Sequence, residues 1–321
     1  MKTDAAIKTQ VATVPQTRVV APRSLFFLSG YGVVYFALLF SMHRFEGFDL
    51  SEPLLVLGLI GVSFSAFAWW VTRNSVPLPF AVKQPARETI LLLICILPLI
   101  AYLTWGRNAL ALSTIPKPRQ SVVILVIKIL LCVAIPAATL ILACGYRWRE
   151  LFVVQDASRH VWPALWMSLA IVAFQCVAGR GLGEIRHSGL TPLTLIVGAP
   201  LIYLFLLLEV GLVEEFFFRV LLQSRLAAWL KSEVGGIVGM ALLFGLMHAP
   251  GLYYRSATTQ EALGLHPSWL MAIGYSVVIT SVTGFFLGVL WMRTRNLPLL
   301  MAIHAAGDLV PNLVPMLKNW I

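Results

Sequence analysis

Two adjacent glutamates, Glu214 and Glu215, lie within an apolar run from Leu201 to Leu230, and Arg219 follows one helical turn after the second. A carboxylate at bilayer depth is costly unless it is paired or wet, so a chain that keeps two of them there is using them. Glu215 and Arg219 are spaced i,i+4 with the acid first, which puts them on one helix face and lets the guanidinium neutralise one carboxylate. Glu214 points about 100° around the helix from Glu215. A desolvated carboxylate without that partner is the kind of group that serves as a general base. The competing use of the same three residues is a buried ion pair that holds helices together. Glu209, further up the same run, reads as a polar neighbour without a role of its own.

Two more patterns lie downstream: Phe244-Gly-Leu-Met-His248, then His304-Ala-Ala-Gly-Asp308. The second is again an i,i+4 pair on one face, with Gly307 leaving room for a neighbouring helix. A lone histidine in an apolar helix is more often a satisfied core residue than a catalyst, but here two of them accompany buried acids. At about 1.5 Å per residue, Glu215 lies roughly 24 Å from Lys231, His248 roughly 20 Å from Gly235, and His304 and Asp308 roughly 12–18 Å from Asn296. All fall in one layer of a hydrocarbon core about 30 Å thick, so the expectation is a single wet pocket holding two carboxylates, two imidazoles and a third acid. Water between a carboxylate and imidazoles is the arrangement that activates a hydrolytic nucleophile and steadies the oxyanion it generates.

The elements that must position these groups are membrane helices. Hydrophobic residues make up 59% of the 321 and charged residues 12%, with a mean hydropathy of +0.85, against about 25% charged residues in soluble domains. The fold class read from this is an all-α polytopic membrane protein with about 8–9 transmembrane helices. Nine candidates run near Ser24–Met42, Pro53–Val71, Ile90–Trp105, Val122–Tyr146, Trp162–Gly179, Leu201–Leu230, Val234–Gly251, Trp269–Met292 and Leu297–Leu317. Leu193–Pro200 reads as a re-entrant or interfacial lead-in to the sixth. The domain reading is a polar tail over 1–23, a transmembrane extension over 24–190 and a core over 191–321 that holds the chemistry.

The net charge of +10 belongs to short segments between apolar runs. Its bias places the N-terminus on the cytoplasmic side. No basic patch interleaved with aromatics speaks for nucleic acid. Lys128, inside the fourth span, reads as a snorkelling or locally paired side chain. Cys95, Cys132, Cys144 and Cys176 read as buried thiols without ligand spacing.

The order EExxxR, FxxxH, HxxxD on three separate helices resembles the CPBP family of intramembrane endopeptidases, which includes the type II CAAX prenyl proteases and the bacteriocin-processing, or Abi, relatives. The resemblance covers about Leu193 to Leu317. It implies a glutamic-type protease in which Glu214 activates the water, Glu215 and Arg219 support it, and His248, after Phe244, is the catalytic histidine. His304 and Asp308 match the last motif. The prenyl proteases carry Asn where this chain has Asp308, and an ionised Asp308 would repel an oxyanion. Either Asp308 is protonated, or it orients His304 while another donor acts, and Asn312 is within one turn. Close zinc-ligand spacing such as HExxH is absent, so the expectation is a metal-free mechanism with no cofactor, and zinc is the less favoured choice.

The function expected is hydrolysis of a peptide bond in a membrane-associated or exported protein or peptide, in a multi-pass protein of the bacterial inner membrane. The alternatives are a transporter whose buried Glu, Arg and His relay protons, and a non-catalytic immunity or scaffold protein. The partners expected are the peptide substrate and the bilayer, with no nucleic acid. Substrate identity and oligomeric state stay open.

Overall fold

The computed structural model describes residues 22–77, 80, 82–106, 114–152, 160–177, 181–259, 263 and 267–320. Residues 1–21 of the expected N-terminal tail lie outside these residues, and Pro22 and Arg23 already belong to the first helix. Among the described residues ten helices succeed one another, besides a single turn at Trp148–Leu151: α1 Pro22–Glu46, α2 Ser51–Val71, α3 Pro85–Gly106, α4 Lys117–Cys144, α5 Val161–Val177, α6 Gly181–His187, α7 Pro192–Leu230, α8 Glu233–Thr259, α9 Trp269–Thr294 and α10 Leu297–Trp320. The protein is all-α and polytopic. Eight helices are long and apolar enough to cross a membrane alone, and α5 with α6 forms a ninth, bent pair.

Contacts between helix ends give the threading. Phe27 lies against Gly235, Arg293 donates to the Thr72 carbonyl, Arg225 meets Glu88, and Asn296 meets His160. These residues gather at one end of the bundle, which α1 leaves and α2 reaches. At the other end Glu46 accepts from Ser268, and Gly198 packs on Leu317. Helix α5 runs parallel to α10, from His160 beside Asn296 to Gln175, which donates to the Gly307 carbonyl. Among the described residues the candidate spans number eight, or nine with the bent α5–α6 pair taken as one.

The structure corrects one expectation. Leu193–Pro200 is not a separate re-entrant piece: α7 is continuous over 39 residues. Thr191 caps its first turn by accepting from the Thr194 N–H, Pro192 begins the helix where an N–H is dispensable, and Pro200 sits inside without ending it. Proline is tolerated in membrane helices because neighbouring groups satisfy the backbone it frees.

The largest apolar cluster takes Leu92, Ile96, Cys132 and Leu140 from α3 and α4 together with Phe216, Leu221, Phe244 and Ile303 from α7, α8 and α10. Packing thus runs across the expected boundary at residue 190. A second cluster joins α1 and α2 to α8 and α9 through Tyr35, Met42, Val56, Val238, Val278 and Val282. The four cysteines are free thiols. Two close approaches set the positions of the polar groups. A side chain at Gly211 would lie 2.9 Å from the Met301 carbonyl, and one at Gly245 would lie 2.9 Å from the Ser276 carbonyl. Glycine at these positions lets α10 and α9 lie directly against the helices that carry the acids and His248.

Candidate active site

Glu215 and Arg219 form the fully buried centre. Arg219 Nη1 is 3.1 Å from Glu215 Oε1, and both side chains are 0% exposed. The guanidinium also stacks over the Phe244 ring at 4.2 Å and reaches the Gly284 carbonyl at 3.4 Å. Glu215 Oε1 accepts in addition from His304 Nδ1 at 2.6 Å. A histidine that donates from Nδ1 keeps its Nε2 lone pair free when neutral. That nitrogen points towards Asp308, whose Oδ2 is 4.0 Å away, beyond hydrogen-bond reach. The i,i+4 reading of Glu215 and Arg219 therefore matches the geometry, and Glu215 adds the orientation of His304.

His248 is held differently. Its Nδ1 donates to the Phe244 carbonyl at 2.8 Å, so its Nε2 faces outward. The Phe244 ring lies 4.8 Å from the His248 ring and 6.2 Å from the His304 ring. Phe244 thus lies near both imidazoles as well as seating Arg219.

The expected single pocket is divided in two. A cavity of about 270 Å³ is lined by Glu214, His248, Lys128 and Glu209, with Tyr102, Leu103, Ile124, Phe218 and Met247 among its apolar wall. A smaller one of about 120 Å³ is lined by His304, Asp308 and Gln175 with Phe64, Thr283 and Phe286. The two share no lining residue. Glu214 and Glu215, adjacent in sequence, separate as their 100° offset requires: one opens on the larger cavity and the other is sealed between Arg219 and His304. Asn312 lines neither cavity, and its amide donates to the Asp308 carbonyl at 2.8 Å.

Two cavity groups go beyond the sequence reading. Lys128 Nζ reaches 2.5 Å from Glu209 Oε1 and 3.5 Å from Glu214 Oε1, so of the two readings of this lysine the paired one matches the geometry and the snorkelling one does not. Glu209 faces the same space. An unpaired lysine in the middle of a span was the available signal, but its partners lie 81 and 86 residues away. Among the described residues no three His, Cys, Asp or Glu side chains gather as a metal-ligand set.

No curated protein and no solved structure matches the chain. The model of one family does: residues 196–310, which hold Glu209, Glu214, Glu215, Arg219, Phe244, His248, His304 and Asp308, match the Rce1-like family, described as type II CAAX prenyl endopeptidases, and over this segment the chain is similar to that family.

Proposed function

We propose that this protein is an intramembrane endopeptidase in which the Glu214 carboxylate activates the attacking water inside the larger cavity. The observation that carries this reading is that Glu214 and His248 line one cavity while His248 Nδ1 is taken up by the Phe244 carbonyl, which leaves Nε2 as its free ring nitrogen. A volume of about 270 Å³ holds several waters at about 30 Å³ each, or one water beside the scissile peptide. Glu214 takes a proton from water as its oxygen attacks the carbonyl carbon, and the tetrahedral intermediate's oxyanion is met by the imidazolium form of His248 through Nε2–H. Collapse breaks the C–N bond, with the proton on Glu214 passing to the departing amine. Glu215 and Arg219 act behind this, holding the helix and His304 in place.

The apolar wall of Leu103, Ile124 and Met247 suits aliphatic side chains or a lipid group near the cleaved bond. The family description supports a prenylated C-terminus as substrate class, and a bacteriocin leader, a sorting signal or another membrane peptide fits the same chemistry. The spread of the carboxylates and imidazoles over two cavities supports a mechanism without a metal. The placement assigned is the bacterial inner membrane with the N-terminus cytoplasmic.

The test is release of the C-terminal tripeptide from a farnesylated peptide ending in a Cys-aliphatic-aliphatic-X motif, in proteoliposomes. Glu214→Gln keeps the shape and removes the base, so turnover is expected to fall by at least about a hundredfold. Near-normal turnover removes Glu214 from the mechanism. A membrane-permeant chelator is expected to change the rate little, and full inactivation reversed by zinc overturns the metal-free route.

A further inference from the structure

Lys128 lies on α4, outside the segment that matches the family model, yet its ammonium enters the cavity of Glu214. One cation there serves two carboxylates unequally. Nζ is 2.5 Å from Glu209 Oε1, 3.3 Å from the Glu209 carbonyl and 3.5 Å from Glu214 Oε1. In a regular α-helix the two acids would point about 140° apart, and no single ammonium would reach both. The stretch Leu207–Leu212 is π-helical instead. Its wider turn brings Glu209 and Glu214 round to the same neighbour, the kind of use to which π-bulges at functional sites are put.

We propose that Lys128 is a positioning residue for Glu214, its ammonium anchored by Glu209 and biasing Glu214 toward the carboxylate form while turning it into the cavity. The inference rests on the reading of Glu214 as the base. Two carboxylates in one desolvated space repel, and without a shared cation one of them takes up a proton. A protonated Glu214 cannot accept from water. A lysine bound tightly to Glu214 itself would blunt its basicity, and the unequal distances avoid this. The charged and titratable groups around Glu214 are Tyr102 on α3, Lys128 and Cys132 on α4, Glu209, Glu215 and Arg219 on α7, His248 on α8, and His304 and Asp308 on α10. Arg219 is committed to Glu215. Lys128 is thus the cation that opens on the cavity among the described residues.

The experiment compares full-length wild type with Lys128→Met, Lys128→Arg, Glu209→Gln and Glu214→Gln. Its readouts are the pH dependence of kcat/KM on the farnesylated peptide and an infrared pH titration of the carboxyl band that Glu214→Gln abolishes. Lys128→Met is expected to move the acid limb and the band midpoint to higher pH by about one unit or more, the usual effect of losing a close opposite charge. Lys128→Arg, which keeps the charge, restores both towards wild type. Glu209→Gln frees Lys128 to close on Glu214 and moves both to lower pH. A limb and midpoint unmoved in Lys128→Met, even with a lower rate, overturn the proposal. Should that variant not fold, an unmoved Glu209→Gln does the same. If Glu214→Gln still turns over, the base assignment falls and this inference with it. If it is dead while Lys128→Met is unshifted, only the inference about Lys128 falls.

Discussion

Two glutamates on different helices each meet a basic side chain across the boundary between the first four spans and the rest, and the protein finishes them differently. Glu88, in the first turn of α3, is closed on every side. Its Oε2 accepts from Arg225 Nε at 2.9 Å and from the Tyr146 hydroxyl at 2.8 Å, and its Oε1 accepts from the Lys83 and Gln84 N–H groups. Glu88 and Arg225 are both 0% exposed. Glu214 has a long contact to Lys128 and an open face on a cavity. The first carboxylate has no capacity left for a guest. The second does, and a carboxylate becomes reactive only where some of its lone pairs are left to water.

That contrast can be broken by exchanging the consequences. Arg225→Met leaves the Glu88 charge buried without its guanidinium, which is expected to cost about 3–5 kcal/mol of stability, seen as a fall in melting temperature in detergent. The turnover of molecules that remain folded stays near wild type. A rate loss without loss of stability would place Arg225 in the chemistry and erase the distinction. On the reactive side, His248→Ala is expected to lower kcat/KM by about a hundredfold, the lower range for a positioned acid–base group, with little change in melting temperature, whereas His304→Ala, which takes a donor from the buried Glu215 carboxylate, is expected to lower the melting temperature more than the rate. A hundredfold rate loss at His304 without loss of stability would bring the smaller cavity into the chemistry.

The smallest effect concerns the two ends of the bundle and is a matter of sidedness. In a variant lacking the native cysteines, Arg149→Cys is expected to be shielded from an impermeant thiol reagent applied outside cells, and His187→Cys to be labelled. The opposite pattern reverses the orientation and gives the site a substrate from the other compartment.

The spans and the Glu215–Arg219 pair are legible in the sequence because both obey the α-helical period: apolar runs of sufficient length, and an acid and base four residues apart. Glu209 is not, because its relation to Glu214 depends on the π-helical turn at Leu207–Leu212, which breaks the period used to read it. Lys128 is not, because a long-range pairing leaves no local spacing to detect. The division into two cavities is not legible either, because residue types alone do not show which side chains line which space. Proline at 200 reads as a boundary by the rules of soluble helices, yet α7 runs through it.

Helix α7 has a mechanical side as well. At 39 residues it is about 58 Å long, close to twice a hydrocarbon core of about 30 Å, and even a tilt of about 40°, the upper range for membrane helices, leaves roughly 44 Å along the normal. Its end turns must therefore stand among the headgroups, or the bilayer must thicken around it. Glu214 is fixed on this rod at about 24 Å from Leu230. Packing against neighbouring helices sets its tilt, and the tilt sets the height, relative to the membrane midplane, at which a peptide bond meets the carboxylate.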